Sequence, residues 1–467
     1  MSETTSPRGE PAARVSRGAR LAWLDALRGF AALCVVFDHG STLLLLPVRS
    51  FLYQWLNLGQ YGVFVFFMVS GYIVPASLER KGSVRGFWIS RAFRLYPMFV
   101  IAVALALVAS FTGYGTYTNA GSAPLAAVLT WLLMLQNVNT GLNIPLVTWT
   151  LSYEMIFYLL LAALFSWGVH RRSGWYATAF AAAAVVVGGV LPMSALAHWS
   201  RVPGQEPLLL TGVTDALILA GVALAVWSRS WAGRAGASAA ALTALVLMTF
   251  NQNYPYRWSG CVILALMFSG TLVYRAEQRQ VSRVRAALVV VLVLALATVA
   301  GAWHGAHWGY HWQVQWVTSV LLAGATFGLG VLLFGGEGRR LRVPRWCGWL
   351  GTISFSVYLL HPLVFDAYRE IPALHRRHTL PNQALFFAGL LAVIIGLSAL
   401  AYYLVEKPMQ RLGHRVAARA GSEAGSPPPS AAAGSGADGT AGNGTPAAAS
   451  RSASSSTAVA GGSGGSP

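Results

Sequence analysis

The sequence is short of charge, of acid and of cysteine. Only 10% of its 467 residues are charged, against 55% hydrophobic. Soluble domains carry roughly a quarter charged residues, so a soluble globular fold is excluded. Cys34, Cys261 and Cys347 are too few for a disulfide framework and read as packing residues. The loops lack the paired acids that a metal-dependent glycosyltransferase acting on lipid-linked sugars favours. The first 20 residues are polar and basic and the first apolar run is long, so no cleavable signal peptide is expected.

What the chain has in abundance is apolar windows of roughly 18 to 23 residues, each long enough for the ~30 Å hydrocarbon core. They predict an all-α, polytopic membrane bundle of about 10–12 transmembrane helices. Spans are expected near 22–46, 60–78, 95–112, 148–168, 176–196, 208–228, 236–251, 257–274, 284–303, 314–335, 348–368 and 383–405. Residues 123–138 are short, end in the polar NVNTGLN, and read as a re-entrant or interfacial segment.

The net charge of +18, from 33 Lys+Arg against 15 Asp+Glu, suggests nucleic acid on a soluble protein. Its placement decides otherwise. Basic residues crowd alternate segments, from Arg8–Arg20 through Arg80–Arg94, Arg275–Arg285 and Arg339–Arg345 to Lys407–Arg419. The other alternate segments hold only Arg49, Arg201, Arg257, Arg369, Arg376 and Arg377. This is the positive-inside pattern. It predicts both termini in the cytoplasm, a lipid bilayer as partner, and no nucleic acid. Residues 1–20 form a basic cytoplasmic segment. Residues 421–467 are Ala, Gly, Ser and Pro, cannot bury enough surface to fold, and read as a disordered cytoplasmic tail.

Ionisable residues inside spans are costly and usually line a site or a pathway. The stretch LDALRGFAALCVVFDHG holds Asp25, Arg28, Asp38 and His39. Eleven residues separate Arg28 from His39, about 1100° of helix, so both lie on one face with a rise of about 16 Å. Asp25 lies near the same stripe and can pair with Arg28 at i,i+3. TWTLSYEMIFYLL places Glu154 one to two turns into its span, and TISFSVYLLHPLVF places His361 in the outer half of another, with Asp366 nearer the surface. Asp215 falls at a similar height, where an interhelical hydrogen bond explains it. Each also has a structural reading: an ion pair for Arg28, a bonded core histidine for His39.

In GVFVFFMVSGYIVP, Gly62, Ser70, Gly71 and Pro75 allow close helix approach, and Ser70 can donate into a site. Arg91 and Arg94 follow, at the start of the next span. They read as positive-inside anchors or as a clamp on phosphates from the cytoplasm. WHGAHWGYHW carries His304, His307 and His311 without a carboxylate or cysteine, so no metal site is assigned. Its Trp303, Trp308, Tyr310 and Trp312 read as an interfacial belt or a stacking surface for a glycan ring.

Taken together these stretches resemble the acyltransferase 3 family of multi-span membrane acyltransferases, which includes O-antigen, exopolysaccharide and macrolide O-acyltransferases. LDALRGFAALCVVFDH resembles the family's opening, with Arg28 and His39 at its arginine, ten residues, histidine signature. GVFVFFMVSGYIV, FWISRAFRLYP, WTLSYEMIFYLL, ISFSVYLLHPLV and the closing VEKP resemble its later motifs, in order, across about residues 20–410. Phe64 departs from the pattern, standing where the family often has Asp. The apolar-poor tail leaves no hydrolase-like domain expected after the membrane domain of 21–410.

The resemblance implies transfer of an acyl group from acyl-CoA to a hydroxyl, often of a sugar. Acyl-CoA, taken as acetyl-CoA, is then a donor substrate, and no bound cofactor is expected. The acceptor is an envelope polysaccharide or a secreted glycoside, and the site lies in a bacterial plasma membrane. On this reading His39 is the general base. Glu154 holds its tautomer or stabilises its imidazolium. Arg28 neutralises phosphate or orients the thioester, Arg91, Arg94 and Ser70 contact the donor, and His361 is a further candidate. The rival class is a transporter or flippase, with His39 and Glu154 as proton relays.

Overall fold

The computed structural model describes residues 10–112, 124–139, 143–198, 206–228, 230–253, 255–335, 343–371 and 379–423. Residues 1–9 of the basic segment and 424–467 of the tail lie outside them. The described elements are helical: α1 (Glu10–Ser41), α2 (Leu46–Leu52), α3 (Leu58–Lys81), α4 (Val84–Phe111), α5 (Pro124–Leu132), α6 (Trp149–Ser166), α7 (Ser173–Val186) and α8 (Glu206–Trp227). They continue as α9 (Trp231–Phe250), α10 (Ser259–Glu277), α11 (Arg283–His304), α12 (Tyr310–Phe334), α13 (Arg345–Arg369), α14 (Leu380–Ala401) and α15 (Lys407–Glu423). Among them ten are long and apolar enough to cross a membrane, or up to 11 if the bent α1–α2 pair is one span. The chain is therefore a multi-pass, all-α membrane protein.

Two expected spans differ in extent. The first, 22–46, stops at Ser41, and α2 leaves at 120°. Two hydroxyls bond back to carbonyls of its last turn. Ser41 Oγ donates to the Asp38 carbonyl at 2.9 Å, and Thr42 Oγ1 donates to the His39 carbonyl. Pro47 then sits in the first turn of α2, where its missing N–H is harmless. The fifth, 176–196, is α7. Its 14 residues rise about 21 Å, less than the hydrocarbon core. Yet Ser173 at its start bonds Arg275 of α10, and the carbonyls of Ala184 and Val185 at its end meet His304 of α11, so the segment still runs from one end of the bundle to the other.

The segment 123–138 does not cross by itself. α5 has nine residues, and the chain after it folds back inside the bundle. Irregular backbone at membrane depth must be satisfied by protein, and here the polar residues of the segment do this. Gln136 Nε2 donates to the Thr148 carbonyl at 2.9 Å, the Asn137 N–H to Ser152 Oγ at 3.1 Å, and Asn251 Nδ2 to the Val138 carbonyl at 3.0 Å. Asn139 Nδ2 donates to Asp215 Oδ1 at 3.0 Å, so Asp215 belongs to this lock.

α3, α6 and α10 form the centre, with α1 packed between α3 and α13. These crossings are tight because glycines stand at them. A Cβ on Gly351 of α13 would lie 1.9 Å from the Asp25 carbonyl oxygen of α1, and one on Gly62 of α3 would lie 2.6 Å from that of Ala31. Close backbone approach at small residues is the usual way membrane helices associate. The consequence is that α1 presents its polar stripe to α3 on one side and α13 on the other. The turn between α3 and α4 and the turn between α8 and α9 share one end of the bundle, where Arg85 and Arg234 line a common cleft. We call this the basic face.

Candidate active site

Polar groups on α1 collect in two places along its length. Away from the basic face, the break after Ser41 leaves His39 on the wall of an open cavity of about 290 Å³. Asp38, Arg49, Asn57 and Gln60 supply polar lining; Trp149, Tyr256 and Trp316 supply aromatic lining. Asp38 Oδ2 accepts from Tyr53 Oη at 3.3 Å, and the Arg49 guanidinium lies 3.7 Å from the centre of the Tyr53 ring. Phe64, where the related pattern often has Asp, faces the same cavity and packs edge-on against Trp316 at 5.5 Å. An apolar side chain thus takes the place of an acid.

The His39 ring meets that of His361. Its Nδ1 lies 3.0 Å from Nε2 of His361, whose Nδ1 lies 3.1 Å from the Val357 carbonyl. His361 is fully buried. The sequence expectation that Glu154 holds the His39 ring is corrected here. Glu154 accepts a hydrogen bond from Tyr158, one turn along its own helix. The reason is depth: α6 enters at the cavity with Trp149, and Glu154 lies five residues, about 7 Å, further in.

Glu154 belongs to the second polar region, nearer the basic face. Arg28 pairs with Asp25 at 3.9 Å and lies 5.7 Å from the centre of the Phe66 ring. Glu154, Glu406 and Arg94 are its other charged neighbours. Glu406, in a π-helical turn at Tyr402–Glu406, accepts from Ser356 Oγ at 3.0 Å and from Gln410 Nε2 at 2.9 Å. Every carboxylate of this region has a partner, as buried charge requires.

Between the two regions lies a neck of about 20 Å³, lined on α1 by Ala31, Ala32 and Val35. It shares Val35, Val63 and Tyr358 with the large cavity. The rings of Phe66 and Tyr358 stack across it, 6.3 Å apart and 6° from parallel. Tyr358 is itself bonded to Thr150 Oγ1 and to the Val147 carbonyl, each at 3.0 Å.

Other expected site residues fall elsewhere. Arg91 is buried, with its guanidinium 5.4 Å from the Phe87 ring centre and 5.2 Å from that of Tyr158. Arg94 is half-buried. Ser70 is buried on α3 and lines neither the large cavity nor the neck. His304 Nε2 meets the carbonyls of Ala184 and Val185 at 3.1 and 3.0 Å. Trp308 and Trp312 pack on Tyr256 at 4.7 and 5.2 Å, backing the cavity wall. Sequence reasoning missed Glu406 as a site residue, although VEKP marked its position. Arg49 on the short α2, Tyr53 at its end and Tyr256 just before α10 lie outside any long periodic run and carried no signal.

Among known proteins, the chain is similar to "Acyltransferase MdmB" of Streptomyces mycarofaciens, 32% identical over 183 residues, 37% of this chain and 46% of the relative. It is 24% identical over 413 residues to the "Putative peptidoglycan O-acetyltransferase YrhL" of Bacillus subtilis, covering 84% of this chain and 55% of the relative. It is 31% identical over 162 residues to "O-acetyltransferase OatA" of Staphylococcus aureus, covering 32% and 25%. The matches thus take in about half the length of the first two and a quarter of the third. No solved structure matches the chain. The model of the acyltransferase domain matches residues 21–403, nearly all of the described bundle, and the chain belongs to the acyltransferase 3 family.

Proposed function

We propose that this protein is a membrane O-acyltransferase, moving an acyl group, taken as acetyl, from acyl-CoA to a hydroxyl of a sugar-containing acceptor. The observation that carries the reading is His39 on the wall of an open cavity rich in hydrogen-bonding and aromatic side chains. The basic face is read as cytoplasmic, which puts the termini inside and the cavity outside a bacterial plasma membrane. Acyl-CoA then arrives at the end where Arg94 and Arg28 lie, and the acceptor enters beside Tyr256 and Arg49. The names of the relatives, an acyltransferase and two O-acetyltransferases, support the same reaction class.

A hydroxyl is a poor nucleophile until a positioned base takes its proton. His39 accepts that proton as the acceptor oxygen bonds to the thioester carbonyl carbon. The carbon–sulfur bond breaks, and the CoA thiolate takes the proton back from the His39 imidazolium. The products are the ester and free CoA. Arg28 and Arg94 stabilise the donor through charge-assisted hydrogen bonds. Glu154 acts by holding the charge balance around Arg28. Arg91 and Ser70, both buried, support the donor region from within α4 and α3.

The test is release of free CoA, with formation of an acceptor ester, by purified protein in detergent given acetyl-CoA and a glycoside. His39→Ala is expected to lower turnover by on the order of 10²- to 10⁴-fold, with an unchanged size-exclusion profile. A folded His39→Ala protein at full turnover rejects the base. Folded wild-type protein that releases no CoA with any acceptor tried favours the transporter reading.

A further inference from the structure

We infer that His361 is the positioning residue that fixes the tautomer and orientation of the His39 ring. The inference rests on His39 acting as the base. The Val357 carbonyl can only accept a hydrogen bond. His361 Nδ1, 3.1 Å away, must therefore carry a proton. In a neutral imidazole the other nitrogen then has a lone pair. That nitrogen, Nε2, faces His39 Nδ1 at 3.0 Å, so His39 Nδ1 donates. A neutral His39 in this tautomer has its lone pair on Nε2. Among the described residues no protein group bonds that atom, and the ring borders the cavity.

The arrangement has the logic of a base oriented by a third group, with a neutral acceptor in place of a carboxylate. When Nε2 takes the acceptor's proton, the imidazolium keeps donating from Nδ1 to His361. No proton moves to His361, and no second charge has to be buried. His361 is well held for this task. It is fully buried, its ring packs edge-on against Phe365 at 6.0 Å, and Gly351 brings its helix against α1 nearly three turns away. Without it, the His39 ring is free to turn and to place a proton on the nitrogen that faces the substrate.

Three variants test this: His361→Leu and His361→Phe, which cannot accept a hydrogen bond, and His361→Gln, whose amide oxygen can. Turnover and KM for acetyl-CoA and for the acceptor are measured on protein with a wild-type size-exclusion profile. Both apolar variants are expected to lose about 10- to 100-fold in kcat, the order found when the hydrogen-bond partner of a metal-ligating histidine is removed. KM for acetyl-CoA should stay within about twofold, because the donor is held elsewhere, and His361→Gln should recover most of the loss. Combined with His39→Ala, His361→Leu should cost nothing further, since the two act as a unit. Full kcat in either folded apolar variant overturns the inference, and so does a His361→Gln protein no better than His361→Leu. If His39→Ala itself keeps its turnover, the base reading falls and this inference with it. If His39→Ala is inactive while His361→Leu is active, only this inference falls.

Discussion

The two polar regions on α1 solve the problem of burial in opposite ways. Around Arg28 the groups are charged, and each carboxylate is answered: Asp25 by Arg28, Glu406 by Ser356 and Gln410, Glu154 by Tyr158. Around His39 the central pair is two imidazoles, which can both be neutral, and the charged residues Asp38 and Arg49 stand at the cavity wall with Tyr53 between them. Charge taken out of water must be paired or it costs several kcal/mol. A neutral ring does not carry that cost and can leave one nitrogen unbonded. The region near the basic face is therefore built to hold charge, and the cavity region to exchange a proton.

Substitutions that act on both regions, or on one and spare the other, test this contrast. The largest effect is expected where both regions depend on one contact. Gly351→Val places side-chain atoms on the Asp25 carbonyl, which lies at a backbone that cannot yield. It should separate α13 from α1, taking His361 away from His39 and Glu406, which is bonded to Ser356 of α13, away from Arg28 together. Loss of monodisperse protein on size exclusion, or loss of nearly all turnover, is the expected readout.

The next effect separates the regions. Arg94→Ala should raise KM for acyl-CoA about tenfold, the loss of one charge-assisted hydrogen bond of roughly 1.5 kcal/mol. KM for the acceptor should not move. A change in acceptor KM alone would assign Arg94 to the wrong side of the neck. Arg91→Ala serves as the control. Its guanidinium lies against Phe87 and Tyr158, so it should lower thermal stability more than donor affinity.

The smallest effect is expected at the cavity wall. Tyr256→Ala should raise acceptor KM several-fold, since one aromatic contact is worth about 0.5–1.5 kcal/mol, and leave KM for acyl-CoA unchanged. Equal shifts in both constants would mean that the neck does not divide donor from acceptor.

Much of this was legible in the chain. Apolar length set the fold class, and helical period put Asp25, Arg28 and His39 on one stripe. The polar run after Trp131 marked the segment that does not cross. The motifs gave Arg28, His39, Glu154 and His361 as candidates. Hydropathy overran at 22–46, because it measures apolar length and not where a helix stops and the chain turns by 120°.

By itself, then, the sequence determined that this is a polytopic helical membrane protein with a polar stripe on its first long helix. Only the tertiary structure decided who meets whom across helices. His39 finds His361, 322 residues away, while Glu154 stays with Tyr158. The physical reason is that periodicity is local, whereas pairing depends on crossing points that Gly62 and Gly351 permit. Hydropathy is also blind to position within a bundle, since lipid and protein interior are both apolar. The apolar window of the α6 span is 89% buried inside the bundle and that of the span from Leu380 to Arg419 only 11%, yet both simply read as spans.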